Sequence, residues 1–171
     1  ITDAELKRLT PDPGLVMYVR LPPGHEPAPW VKENQADVLR GSAAHGLPVA
    51  EVDRRLAQYV DNTLGAPGDA ERFRPILAGN SVHSDWILVR RFLPELVKRM
   101  NYRLLDVTGI KLQWDQYWKG ERFEKDTPEL IRRFFPEAQL EANAMRHDAF
   151  FDAQASIAEL AYYRSRLEMR R

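Results

Sequence analysis

Two short apolar runs in the second half of the chain, RPILAGNS (74–81) and YRLLDV (102–107), each lead straight into a helical pattern. No other feature restricts the fold as much. A strand that feeds a helix, then a second strand that feeds another, predicts an α/β architecture with helices packed on a sheet. The first run is read as a buried strand ended by Gly79-Asn80. After it, SDWILVRRFLPELVKRM predicts one long helix with Ser84 as a candidate cap and a kink at an internal Pro94. After the second run, Thr108 to Trp118 reads as helical.

The first half is less regular. Leu15 to Arg20 reads as a strand ending at Pro22-Pro23. A helix is expected from Pro29 to near Gly41. Val49, Val52, Leu56 and Val60 recur at helical spacing, and Gly65 is a natural stop. Residues 119–144 are polar and irregular, with a short helix expected after Pro128. A final helix is expected over Ala149–Arg166, with Ala153, Ile157, Leu160, Ala161 and Leu167 toward the core.

Composition narrows the function. With 171 residues, 44% of them hydrophobic and 29% charged, the chain suits one domain over 1–171. It has no cysteine, which excludes disulfides and thiolate metal ligands. Lys+Arg and Asp+Glu are both 25, so the net charge is zero. That argues against tight, non-specific binding of long nucleic acid, which requires many phosphates to be neutralised. A short oligonucleotide held by a few contacts stays open. No apolar run approaches the roughly 20 residues of a membrane span.

Three stretches could carry chemistry. In LAGNSVHSD (77–85), His83 and Asp85 open a helix at a strand's carboxyl end, where sites form in open α/β sheets. Asp85 there also simply complements a helix dipole. In YRLLDVTGIK (102–111), Arg103 offers a bidentate fork for phosphate and Thr108 a hydroxyl. A surface arginine and an ordinary N-cap account for the same residues. In MRHDAFFD (145–152), Asp152 on a helix can bind Mg²⁺ and His147 can take a proton from water. A solvated histidine and a dipole-complementing aspartate are the plain alternative.

Taken in order, GNSVHSD, YRLLDVT and RHDAFFDAQASIAELAYYR resemble the oligoribonucleases, DEDDh-type 3′-to-5′ exoribonucleases with an RNase H-like fold. Gly79, Asn80, Ser81 and Asp85 match the first family motif. Tyr102, Arg103, Asp106 and Val107 match the second, with Thr108 where the family has serine. His147, Ala149, Asp152, Ser156, Glu159, Leu160, Tyr162 and Tyr163 match the third. The resemblance implies a mixed central sheet flanked by helices. It also implies an exoribonuclease that degrades short oligoribonucleotides to mononucleotides by a two-metal mechanism. Asp85 and Asp152 are then catalytic ligands of Mg²⁺ (or Mn²⁺), and His147 the general base. Ser81, Arg103 and Thr108 would surround a terminal 5′ phosphate beside Tyr102, and Trp30 would stack on a base. A homodimer is implied, in mitochondria or cytoplasm with the mitochondrion preferred, and no membrane partner.

Three departures accompany the match. The family's Asp-x-Glu strand has no counterpart after Ile1, so upstream residues on the order of a few tens, carrying strands of usual length, are expected. Gln35 stands where the family has histidine, and 119–146 is longer than the family's stretch. These favour an alternative, a catalytically inactive exonuclease-like protein that binds RNA or serves a larger RNA–protein assembly.

Overall fold

The computed structural model describes residues 1–10, 14–66, 68, 74–140 and 148–168. The chain divides into two compact units. One comprises Ile1–Gly14, Pro75–Trp86 and Asn101–Arg171, the other Leu15–Arg74 and Ile87–Met100.

The second unit is helical. The expected helix from Pro29 is two helices, α1 (Pro29–Asn34) and α2 (Ala36–His45), broken at Gln35 and running on past Gly41. Gly41 does not stop α2 because it serves packing. A Cβ there would lie 2.4 Å from the Tyr18 ring. Helix α3 (Val49–Leu64) ends where expected, at Gly65 with φ 83°, a backbone state that glycine reaches without strain. Val52, Ala57 and Val60 form its buried stripe.

Helix α4 (Val82–Phe92) begins in the first unit and ends in the second. Pro94 then breaks the helix, and a short α5 (Pro94–Val97) follows. Asp53, buried on α3, accepts from the backbone N–H groups of Glu95 (2.9 Å) and Leu96 (2.8 Å). This caps the α5 N-terminus from another helix. Arg99 forks onto Asp61 at 2.7–2.9 Å.

The run Leu15–Arg20 is not a strand. It makes a single parallel bridge, Val19 to Leu47, carried by Leu47 N–H to Tyr18 C=O and Arg20 N–H to Leu47 C=O. Val16 and Val19 are exposed, so the run lacks the buried face that stabilises a strand.

The first unit holds the α/β arrangement. Strands β1 (Leu77–Gly79) and β2 (Leu104–Asp106) pair in parallel with Leu77 opposite Leu104 and Gly79 opposite Asp106. β1 is not buried as expected. Ala78 and Ile76 are exposed, because among the described residues β1 has one ladder neighbour. Helix α6 (Val107–Gln113) follows β2 and widens into a π-helical turn at Trp114–Trp118. α7 (Pro128–Phe134) starts at its proline, as expected.

The last helix, α8 (Ala149–Glu168), packs on α6 and α7. Its core face differs from the expected one. Leu160 is buried, but Ala153 is exposed, and Ile157, Ala161 and Leu167 are half-buried. Phe151, Ala155, Ala158, Tyr162 and Tyr163 fill the core with Trp114, Phe123, Ile131 and Phe135. Gln154, Ser156 and Glu159 are buried among them. Trp114 donates its indole N–H to the Glu121 carbonyl (2.8 Å), which also accepts from Tyr162 Oη (2.7 Å). No helix among the described residues is long and apolar enough to cross a membrane.

Candidate active site

β1 ends at Gly79 and the chain turns through Asn80 and Ser81 before α4 begins. Ser81 has φ 53°, in the left-handed region, which costs a non-glycine residue about 1–3 kcal/mol and persists only where its surroundings hold it. They do. The turn aims the Ser81 N–H at two acceptors across the sheet, Asp106 Oδ1 (3.0 Å) and Thr108 Oγ1 (2.9 Å).

Asp106 ends β2 and is the N-cap of α6, accepting from the Thr108 N–H at 2.9 Å. Thr108 therefore occupies the second helical position rather than the cap itself. Its hydroxyl donates to Asn80 Oδ1 (3.3 Å) and lies 3.3 Å from Ser81 Oγ. His83 Nδ1 approaches Asp106 Oδ2 at 3.4 Å. Asn80 reaches the other way with its amide, to Ser156 Oγ (2.9 Å) and Glu159 Oε2 (3.0 Å) on α8. Ser156 donates to the Asp152 carbonyl (2.8 Å). Three segments far apart in sequence thus meet in one polar network.

Burial alone would raise the Asp106 pKa. Hydrogen bonds from His83, from the Thr108 and Ser81 amides and from the Thr108 hydroxyl outweigh it and hold the carboxyl below its usual range. A lowered native pKa stabilises the fold wherever the unfolded carboxyl, near 3.9, is ionised, and the gain is lost as pH falls through the native value. The melting-temperature gap between wild type and Asp106→Asn is therefore expected to be widest near neutral pH and to shrink below about pH 4. Thermal melts across that range test this. A gap independent of pH would contradict it.

Glu159 is fully buried. Lys125 Nζ (3.0 Å) and Tyr163 Oη (3.2 Å) join Asn80 on its carboxylate. Burial, and then the Glu159 charge, push the Tyr163 pKa upward, so its hydroxyl stays a donor.

Of the residues singled out from sequence, Ser81 and Thr108 are in contact. Asp152 lies in the first turn of α8, partly buried and tied to the network through its carbonyl. Asp148 caps that helix, accepting from the Phe150 and Phe151 amides at 2.9 and 2.8 Å. Asp85 lies in the first turn of α4 with its side chain exposed. Arg103 sits over the exposed Tyr102 ring, its guanidinium 5.4 Å from the ring centroid. Trp30 is exposed on α1 in the other unit. His147 lies outside the described residues.

The donor chemistry of Asp85 and Asp152, hard carboxylate oxygens, suits Mg²⁺ or Mn²⁺. Among the described residues no three His, Asp or Glu side chains gather to hold an ion, so these two would form part of a ligand set of the kind Mg²⁺ takes, one or two carboxylates completed by waters and substrate phosphate. Sequence reading did not foresee Lys125 or the parts that Asn80, Asp106 and Glu159 play. The Asp-x-Thr ahead of an apolar run was a capping signal for Asp106; nothing marked Lys125.

No family model matches the chain. It is 31% identical over 169 residues to the oligoribonuclease of Streptomyces griseus, covering 96% of this chain and 72% of that protein. Against the mitochondrial oligoribonuclease of Homo sapiens the identity is 27% over 169 residues, covering 98% and 62%. Against the oligoribonuclease of Tropheryma whipplei it is 30% over 128 residues, covering 74% and 56%. The chain thus spans from 56% to 72% of the length of these relatives.

Proposed function

The chain belongs to the oligoribonuclease family, and from that premise we propose that it is a 3′-to-5′ exoribonuclease degrading short oligoribonucleotides to mononucleotides. One observation carries the reading. The family's three motif segments, distant in sequence, converge on one network through Asn80, Ser81, Asp106, Thr108, Ser156 and Glu159. Asp152 is tied to that convergence through its carbonyl. The reading takes residues 1–171 as one exonuclease domain with an RNase H-like fold.

Substrate binding follows from charge and shape. The Ser81 hydroxyl and the Arg103 guanidinium are both exposed and suit the terminal 5′ phosphate of a very short RNA. Thr108 would stand beside that phosphate and holds the Ser81 turn, its hydroxyl oxygen accepting from the Ser81 N–H while it donates to Asn80 Oδ1. Tyr102 supports the Arg103 plane, and Trp30 offers an exposed ring for base stacking, a contact worth about 1–3 kcal/mol. Mg²⁺ or Mn²⁺ is the proposed cofactor. Asp85 and Asp152 would supply two of its oxygens, and when bound such an ion stabilises charge on the phosphodiester. His147 is assigned the proton of the attacking water. A homodimer and a mitochondrial or cytoplasmic setting complete the proposal. The exposed Ile87, Leu88 and Phe92 on α4 give an association surface.

The binding test compares a 5′-phosphorylated RNA dinucleotide with its 5′-hydroxyl counterpart. Arg103→Ala is expected to weaken the phosphorylated dinucleotide about tenfold or more, since a charged hydrogen bond contributes about 1.5–3 kcal/mol. The 5′-hydroxyl form should change by less than about twofold. Equal losses on both would remove Arg103 from the phosphate site.

A further inference from the structure

We propose that Lys125 is a positioning residue: through Glu159 and Asn80, its ammonium sets the hydrogen-bond direction of the Thr108 hydroxyl and the Ser81 amide. The inference rests on the short-RNA reading above and extends it to a residue outside the three motifs.

The geometry runs in one direction. Glu159 has no solvent exposure. Its Oε2 meets two donors, Lys125 Nζ and Asn80 Nδ2, each at 3.0 Å. A carboxylate oxygen only accepts, so it selects the NH₂ end of the Asn80 amide. The amide's carbonyl end must then face Thr108, where Oδ1 takes the hydroxyl proton at 3.3 Å. With its proton so placed, Thr108 Oγ1 turns a lone pair to the Ser81 N–H at 2.9 Å. That contact helps hold Ser81 at its left-handed φ of 53°. The polarity of four successive groups is thereby fixed from the buried end.

Lys125 is where that end meets solvent. It sits in the turn between the π-helical segment and α7, its side chain about a quarter exposed. Take the ammonium away and the buried carboxylate loses its cation. No longer held at Lys125, the carboxylate can shift and carry the Asn80 amide with it, drawing Oδ1 away from the Thr108 hydroxyl. The Ser81 turn, which faces the phosphate, loses one of its two acceptors' fixed orientation. Binding of the 5′ phosphate should suffer while the bond-breaking groups, on other residues, are untouched.

The test uses the native full-length protein as wild type, Lys125→Met and Lys125→Arg, with both dinucleotides as substrates. Lys125→Met is expected to raise KM for the phosphorylated dinucleotide about tenfold, with kcat and the 5′-hydroxyl KM within about twofold. Lys125→Arg should restore KM. In parallel, hydrogen exchange at the Asn80 side-chain amide, read by NMR, should be slow in wild type and faster in Lys125→Met. An unchanged KM, equal losses on both substrates in step with melting temperature, or failure of arginine to rescue would overturn the role. If wild type acts on neither dinucleotide, the short-RNA reading fails. The amide exchange then decides alone, and unaltered exchange in Lys125→Met overturns the positioning chain as well.

Discussion

Asp152→Asn is expected to lower dinucleotide hydrolysis by at least about a hundredfold, because a cation site stabilises the transition state by several kcal/mol and each 1.36 kcal/mol is tenfold in rate. The fold should survive the change. Asparagine has the same shape, and both backbone groups of Asp152 are already used within α8, its N–H on Asp148 and its C=O from Ser156. The residual cost is the lost interaction of a carboxylate with a helix N-terminus, about 0.3–1 kcal/mol. Asp85→Asn, in the first turn of α4, should behave alike. Steady-state rates and thermal melts on the same preparations check this. Activity retained within about threefold would take Asp152 out of the chemistry.

Glu159→Ala should have the opposite signature, a large loss of stability. The substitution removes a fully buried carboxylate, takes the acceptor from Lys125 Nζ and Tyr163 Oη, and leaves Asn80 Nδ2 with Ser156 Oγ alone. Breaking a buried ion pair from one side costs about 3–5 kcal/mol, a large share of the stability of a domain this size. Glu159→Gln keeps the shape and one acceptor oxygen, so its loss should be clearly smaller. Urea unfolding measures both. Equal, small effects would mean that the carboxylate is not the anchor of the network.

The strand–helix junctions were legible in the chain because each carries its own signal. β1 ends at Gly79, Gly65 closes α3 and Pro128 starts α7, while Pro94, expected to kink one long helix, separates two. The face of α8 was not. A stripe drawn through Ala153, Ile157 and Ala161 follows apolarity, whereas the true core side includes Gln154, Ser156 and Glu159. Those polar groups are buried because partners supplied by the fold satisfy them, and no local pattern reports a partner 79 residues away. Phe123 likewise hides as one aromatic residue among charges, yet it packs on Tyr162 and Phe134. At the candidate site, Ser81, Thr108 and Asp152 were singled out by motif. Their support by Asn80 and Asp106 is a matter of hydrogen-bond direction, which depends on where the segments meet.

Hydrolysis of a labelled, 5′-phosphorylated RNA dinucleotide by the native full-length protein in Mg²⁺ tests the central claim most directly. The expected result is release of mononucleotide that stops with EDTA and falls about 10²–10⁴-fold in His147→Ala, the usual contribution of a general base. Dinucleotide bound but left uncut would contradict it and make the chain an RNA-binding relative of the exonucleases.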